Sequence, residues 1–167
     1  MSTRGPNTRK IRQGRLEEAE KLELQVLDKR KEQLGPGNPS TCCVMHGLAL
    51  VYQDQGRLIE AEKLYLQALE GMRAGLGANH PDTLVIMNDL AVAYRAQGRL
   101  KEAEQMQFQI LEGRKAKFGV DHPHTLETMH HLALTFWRQG TVTLKTVPMF
   151  GYAEEIDQQC SQIKLEN

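Results

Sequence analysis

The sequence predicts an all-α protein, a superhelical array of antiparallel helical hairpins (an α-solenoid). Three observations carry the prediction: motifs recur at one fixed step, each period divides into two stretches with apolar residues at helical spacing, and no segment alternates apolar and polar residues at period two. The triplet Gln13-Gly14-Arg15 returns as Gln55-Gly56-Arg57 and Gln97-Gly98-Arg99, with Gln139-Gly140 as a partial fourth copy, at a step of 42 residues. Pro39, Pro81 and Pro123 keep the same step, as do Thr41, Thr83 and Thr125, and Gly35, Gly77 and Gly119. Leu48-Ala49, Leu90-Ala91 and Leu132-Ala133 match, as do Tyr52, Tyr94 and Phe136; Ala19, Ala61 and Ala103 are each followed by Glu.

The elements follow in order. Residues 1–12 lack the apolar stripe, and Lys10 stands where the repeat calls for Tyr, so this segment is expected to be disordered. The array then spans 13–140: a half repeat 13–37, full repeats 38–79 and 80–121, and a half repeat 122–140. Helices are expected near 16–34, 40–54, 58–75, 82–96, 100–118 and 124–138. The repeat 80–121 shows why. His80 or Asp82 can cap a helix, and Pro81 suits its first turn, where a missing N–H costs nothing. Leu84, Met87, Leu90, Ala91 and Tyr94 then recur at helical spacing, and Gly98 ends the helix in the left-handed conformation. Leu100, Ala103, Met106, Gln107, Ile110, Leu111 and Phe118 trace the second helix, stopped by Gly119. The short turn makes the pair antiparallel. Ala49, Ala61, Ala91 and Ala103 place small residues where two backbones approach closely. Gly71 and Gly113 fall mid-helix, where each costs about 1 kcal/mol relative to Ala. After Gly140 the pattern breaks: Thr141 to Pro148 puts β-branched residues and a proline where a helix should start. Residues 141–167 form a divergent tail, poorly ordered over 141–151, in which 152–165 can form a short helix with Ala153, Ile156, Cys160 and Ile163 on one face. The chain reads as a piece of a longer array.

Composition narrows the function. Lys plus Arg and Asp plus Glu are each 21, a net charge of zero, and the basic excess of a nucleic-acid binder is absent. Cys42, Cys43 and Cys160 fit neither a disulfide framework nor zinc spacing and read as packed thiols in a reducing compartment. No apolar run approaches a membrane span, and Met1 to Arg12 has no signal-peptide core. These features point to the cytoplasm, with neither nucleic acid nor membrane as partner.

Enzyme-like constellations are weak. His122, His124, His130 and His131 lie close in sequence, but a zinc site needs converging ligands, and adjacent helical residues diverge by about 100°. His122 also stands in register with His80, in a loop the repeat explains. Cys42 or Cys43 could pair with His46, yet nothing supplies an orienting group or oxyanion hole, and Leu84 and Leu126 at the Cys42 position indicate packing. No catalytic residue, cofactor or metal is expected.

A 42-residue period also suits HEAT, armadillo and WD40 repeats. WD40 repeats need strands, and the other two lack Leu-Ala-x-x-Tyr followed by Gly and then Ala-Glu. That constellation resembles the tetratricopeptide repeat (TPR), lengthened from its standard of roughly 34 residues. The runs His80-Pro81-Asp82-Thr83-Leu84, Asn88-Asp89-Leu90-Ala91 and Gly98-Arg99-Leu100-Lys101-Glu102-Ala103-Glu104 resemble the repeats of kinesin light chains, and those at the C-termini of NACHT and NB-ARC signalling proteins. The resemblance implies a TPR-type superhelix whose concave face, lined by the first helix of each hairpin, holds a peptide or partner helix. Asn88 matches the asparagine that, in such repeats, bonds the backbone of a bound peptide; His46 and His130 hold that position in the neighbouring repeats.

Leu90 and Tyr94 should face the hairpin core, so the opposite stripe of each first helix forms the groove. Its binding residues are read as His46, Gln53, Asn88, Asp89, Arg95, His130, His131, Trp137 and Arg138. Cys43, Gly47, Leu50, Asp54, Val85, Val92, Ala96, Glu127 and Leu134 lie on the same stripe. The expected function is protein–protein interaction within a kinesin light chain-like or signalling protein; the alternative is a truncated repeat fragment with no partner of its own. The outer faces of the end helices would be uncovered, so self-association is also expected.

Overall fold

The computed structural model describes the backbone of residues 6–140 and the side chains of 14–140. Six helices follow one another: α1 (Pro6–Leu34), α2 (Pro39–Asp54), α3 (Leu58–Leu76), α4 (Pro81–Ala96), α5 (Leu100–Phe118) and α6 (Pro123–Gln139). The chain forms two compact units, Met1–Thr135 and Phe136–Asn167. The first carries α1 to α5 and most of α6. Of the second, the last turn of α6 and Gly140 are described. The expected disorder over 141–151 and the helix 152–165 lie outside the described residues.

Within the first unit each helix packs on its neighbours in sequence, α1 on α2, α2 on α3, α3 on α4 and α4 on α5; α2 also touches α4. The apolar stripes supply the core: Leu48, Ala49, Leu90 and Ala91 are buried, and so are Ala61 and Ala103, at the close approaches their size permits. The loops repeat as the sequence does. Asn38 Oδ1 accepts a hydrogen bond from Ser40 N, His80 Nδ1 from Asp82 N and His122 Nδ1 from His124 N, so each first helix is capped by the residue before its proline. Thr83 and Thr125 each donate to the carbonyl of the preceding loop glycine, Gly77 and Gly119, at 2.8 Å.

The Gln-Gly-Arg triplet is a clasp. Gly56 and Gly98 turn the chain with φ of +80° and +79°, a region costly for residues with a Cβ. Arg57 N donates to the Tyr52 carbonyl and Arg99 N to that of Tyr94. The guanidinium groups then lie over the same tyrosine rings, at 3.9 and 4.2 Å from the centroids. Each also reaches the glutamate of the preceding repeat's Ala-Glu pair: Arg57 to Glu20 at 2.8 Å and Arg99 to Glu62 at 2.6 Å. Two motifs that looked separate in sequence are therefore halves of one inter-repeat contact.

The N-terminus corrects the expected boundary. α1 starts at Pro6, earlier than the expected 16, and runs straight through Gly14; residues 1–5 lie outside the described residues. The reason lies in the clasp. Lys10 occupies the tyrosine position, so Arg15 has no ring there to close on. Without that contact, continuing the helix through one glycine costs only about 1 kcal/mol.

The mid-helix glycines are also more than propensity defects. A Cβ on Gly71 would collide with Cys42 Sγ and stand 3.2 Å from the Gly37 backbone; one on Gly113 would meet Asn79 Oδ1 at 3.1 Å and Leu84 Cδ2 at 3.3 Å. Cys42 and Leu84, in register, fit the same notch in successive hairpins.

Candidate protein-interaction groove

α2, α4 and α6 are the first helices of successive hairpins, and hydrogen bonds between them run at a constant offset. His46 Nε2 lies 2.7 Å from Asp89 Oδ2, and His131 Nδ1 lies 3.0 Å from Asn88 Oδ1. Both pairs are separated by 43 residues, one repeat plus one position. Arg95 Nη1 adds a contact to the His131 carbonyl oxygen at 3.4 Å. Five of the predicted groove residues, His46, Asn88, Asp89, Arg95 and His131, are thus brought together as a lateral ladder.

Their exposure differs. Asn88 is only 8% exposed, its carboxamide oxygen engaged by His131. His46, Gln53, Asp89, Arg95 and His131 are half-buried, and His130 is exposed. Between these polar positions run Leu50, Val92 and Leu134, in register and partly open to solvent; Val85 adds a further exposed apolar group. Trp137 (63% exposed) and Arg138 belong to the second unit.

Sequence reasoning missed Tyr65. It sits on α3, fully buried, and its hydroxyl donates to Gln53 Oε1 at 3.1 Å while its ring lies 5.8 Å from that of His46. It buttresses two groove residues from below. Burial, then the Asp89 and Asp54 carboxylates, push its phenol well above the ordinary value, so it stays a donor. A signal was present: Glu23 and Gln107 hold the same register, so a polar or polar-tipped residue recurs inside an otherwise apolar stripe.

His131 is shifted the other way. Burial first, then the positive charge of Arg95, holds its imidazole below the ordinary value, so the neutral ring donates to Asn88. Among the described residues no cluster of His, Cys, Asp and Glu stands close enough to hold a metal ion, and no helix is long and apolar enough to cross a membrane.

Two family models, each described as tetratricopeptide repeat, match residues 10–40 and 40–116. No curated protein sequence matches. Among solved structures, nearly identical TPR-like repeats from Podosopora anserina, of a protein described as a kinesin light chain, superpose with a TM-score of 0.74 at 28% identity, covering 93% of this chain and 70% of that one. A point variant of those repeats gives 0.73 at 27% identity, with the same coverage. BtubC (BKLC) from P. vanneervenii gives 0.72 at 19% identity over 92% of this chain and 58% of its own, a likeness of fold.

Proposed function

The chain belongs to the tetratricopeptide repeat family, whose domains are typically protein-interaction modules, and from that premise we propose that it binds a peptide or partner helix along the stripe of α2, α4 and α6. The observation that carries this reading is the lateral ladder His46–Asp89 and Asn88–His131. Bonds at one offset keep equivalent positions of successive first helices side by side, so small patches add up to a continuous surface. One hairpin alone offers too little area for a specific partner.

The surface chemistry suggests the partner's character. The row Leu50, Val92 and Leu134 offers apolar contact, flanked by His46, Gln53, Asp89, Arg95 and His130. Both signs of charge are present, which favours a segment of mixed polar and apolar side chains over a polyanion. Trp137 and Arg138, in the second unit, are of residue types common among binding anchors. The parent protein is read as kinesin light chain-like or as a signalling protein, acting in the cytoplasm without catalysis or cofactor.

The test selects peptides from a displayed library on the full chain and measures their affinity for variants. Leu50→Glu with Arg95→Glu should weaken selected peptides by about tenfold or more, roughly 1.4 kcal/mol. Lys101→Glu with Gln105→Ala, on α5, should leave them unchanged. The reverse pattern would place binding on the second helices and refute the assignment.

A further inference from the structure

The seat of α4 on α3 and the seat of α6 on α5 occupy the same register with opposite chemistry. The first is lined by Tyr65, Met72, Ile86 and Ala93, all buried in one apolar cluster. One repeat later the same four positions hold Gln107, Arg114, Thr128 and Thr135, all equally buried. The apolar cluster runs from Leu27 to Ile110 and, among the described residues, includes none from α6. The second seat also buries Leu132 and Met129 of α6, but at these four positions it is held by hydrogen bonds. Arg114 Nη1 donates to the His124 carbonyl at 2.6 Å, to Thr128 Oγ1 at 2.8 Å and to Glu127 Oε2 at 3.3 Å. Thr135 Oγ1 lies 2.8 Å from Gln107 Oε1 and 3.0 Å from the His131 carbonyl, but its single proton can serve one of them at a time. Gln107 Nε2 is buried with no partner at all.

We propose that α6, over Pro123–Thr135, is a releasable helix: its polar seat lets it leave α5 while the rest of the array stays folded, and acidification favours the released state. The first part follows from what opening costs. Parting an apolar seat exposes hydrocarbon to water with nothing gained in return. Parting this one exposes Leu132 and Met129, but at the four positions it exchanges hydrogen bonds to protein for hydrogen bonds to water, hydrates the Arg114 charge, and gives Gln107 Nε2 the acceptor it lacks. The docked state is therefore held less firmly than α4 is on α3, and segments of this kind open locally.

The second part rests on His131. Docked, its ring faces Asn88 and Arg95 from α4, Arg114 from α5, and His130 and Glu127 on α6 itself. Burial, then Arg95, disfavours protonation there, with His130 and Arg114 adding to it and Glu127 opposing it. Released into water the ring returns to the ordinary value, about 6.5. The released state thus binds the proton more tightly, and lowering the pH through that value shifts the balance toward release. Release would also remove one wall of the stripe, but the inference stands on α5 and α6 alone and does not depend on what binds there.

The experiment is hydrogen exchange by mass spectrometry on the full chain at about pH 7.5 and about pH 5.5, corrected for the intrinsic pH dependence of exchange. Peptides from 126–135 should exchange at least about tenfold faster than those from 84–93 at the higher pH, with the gap widening at the lower. Arg114→Met with Thr128→Ile, which restores the residues of the α3–α4 seat, should slow exchange in α6 by about tenfold. His131→Asn, which keeps a neutral partner for Asn88, should remove the added loss at low pH. Equal protection of α4 and α6 in the unmodified chain at both pH values would overturn the proposal without recourse to any variant. Loss of α4 and α6 protection together would also overturn it, since the array would then open as one body.

Discussion

His46 on α2 and Asp89 on α4 meet at 2.7 Å, a distance no contact within either hairpin requires. The pair ties two first helices directly, and Asn88 and His131 repeat the tie one hairpin on. Both members are partly shielded, at 18% and 24% side-chain exposure, so the contact is screened less than a surface pair. A double-mutant cycle of His46→Ala and Asp89→Ala, read by denaturant unfolding, should give a coupling of about 1 kcal/mol. Additive single effects would mean that stacking of the hairpins alone sets their lateral register.

Gly71→Ala should destabilise the chain even though Ala is the better helix former. Helix propensity favours the change by about 1 kcal/mol. The added Cβ must displace Cys42 Sγ and press on the Gly37 backbone, and overpacking of this kind costs about 1–3 kcal/mol. Cys42→Ala in the same chain should recover part of the loss by clearing the sulfur. Gly47→Ala is the control: its Cβ would meet only the mobile end of Glu23, so it should be neutral or stabilising. Thermal melts of the three variants beside the unmodified chain decide it, and a stabilised Gly71→Ala would show that α2 can shift freely against α3.

How far the sequence exposed this structure depends on what kind of contact made each feature. The helix boundaries were legible, because prolines, cap residues and loop glycines act on the backbone beside them. The stripe of α2, α4 and α6 was legible as a set of positions, since a fixed period carries one helix onto the next. The ladder was not, because an offset of one repeat plus one residue depends on how the helices lean together. Tyr65 and the polar seat at Gln107 and Arg114 were hidden because an amphipathic trace averages over them. The unbroken α1 was missed because Gly14 was read by its motif; its partner position, Lys10, had lost the ring that makes the motif turn.

α1 carries an uncovered apolar face. Leu22 and Val26 lie one turn apart and are 62% and 44% exposed, while their counterparts on α3 are sheltered, Leu64 against the core and Ala68 fully buried. On α3 that side faces the first helix of its own hairpin; α1 is the first element described. A row of this kind drives association in water. The chain should therefore show a mass that rises with concentration in light scattering, and Leu22→Gln with Val26→Gln should hold it monomeric without lowering its melting temperature. A chain already monomeric at millimolar concentration would show that the exposed pair is too small to matter.

The clasp between repeats should give acid sensitivity of a defined sign. Gln55 Nε2 donates to one oxygen of Glu20 at 2.9 Å and Arg57 Nη1 to the other at 2.8 Å. The hydrogen bonds from Gln55, and next from Arg57, hold the Glu20 carboxyl below the ordinary carboxylate range, overcoming the opposite effect of burial. A depressed folded value means that the unfolded chain takes up the proton more readily. The clasp's contribution is therefore complete above the unfolded value of about 4.3 and disappears as pH falls through the lower folded value. Glu20→Gln removes the charge but keeps the shape. It should lower the melting temperature at neutral pH, and the difference from the unmodified chain should shrink steadily below about pH 4. Two results would count against this account: no difference at neutral pH, or one that persists undiminished in acid. The first would mean that Arg57 is held by Glu60 and the Tyr52 ring alone; the second would assign the loss to packing and not to charge.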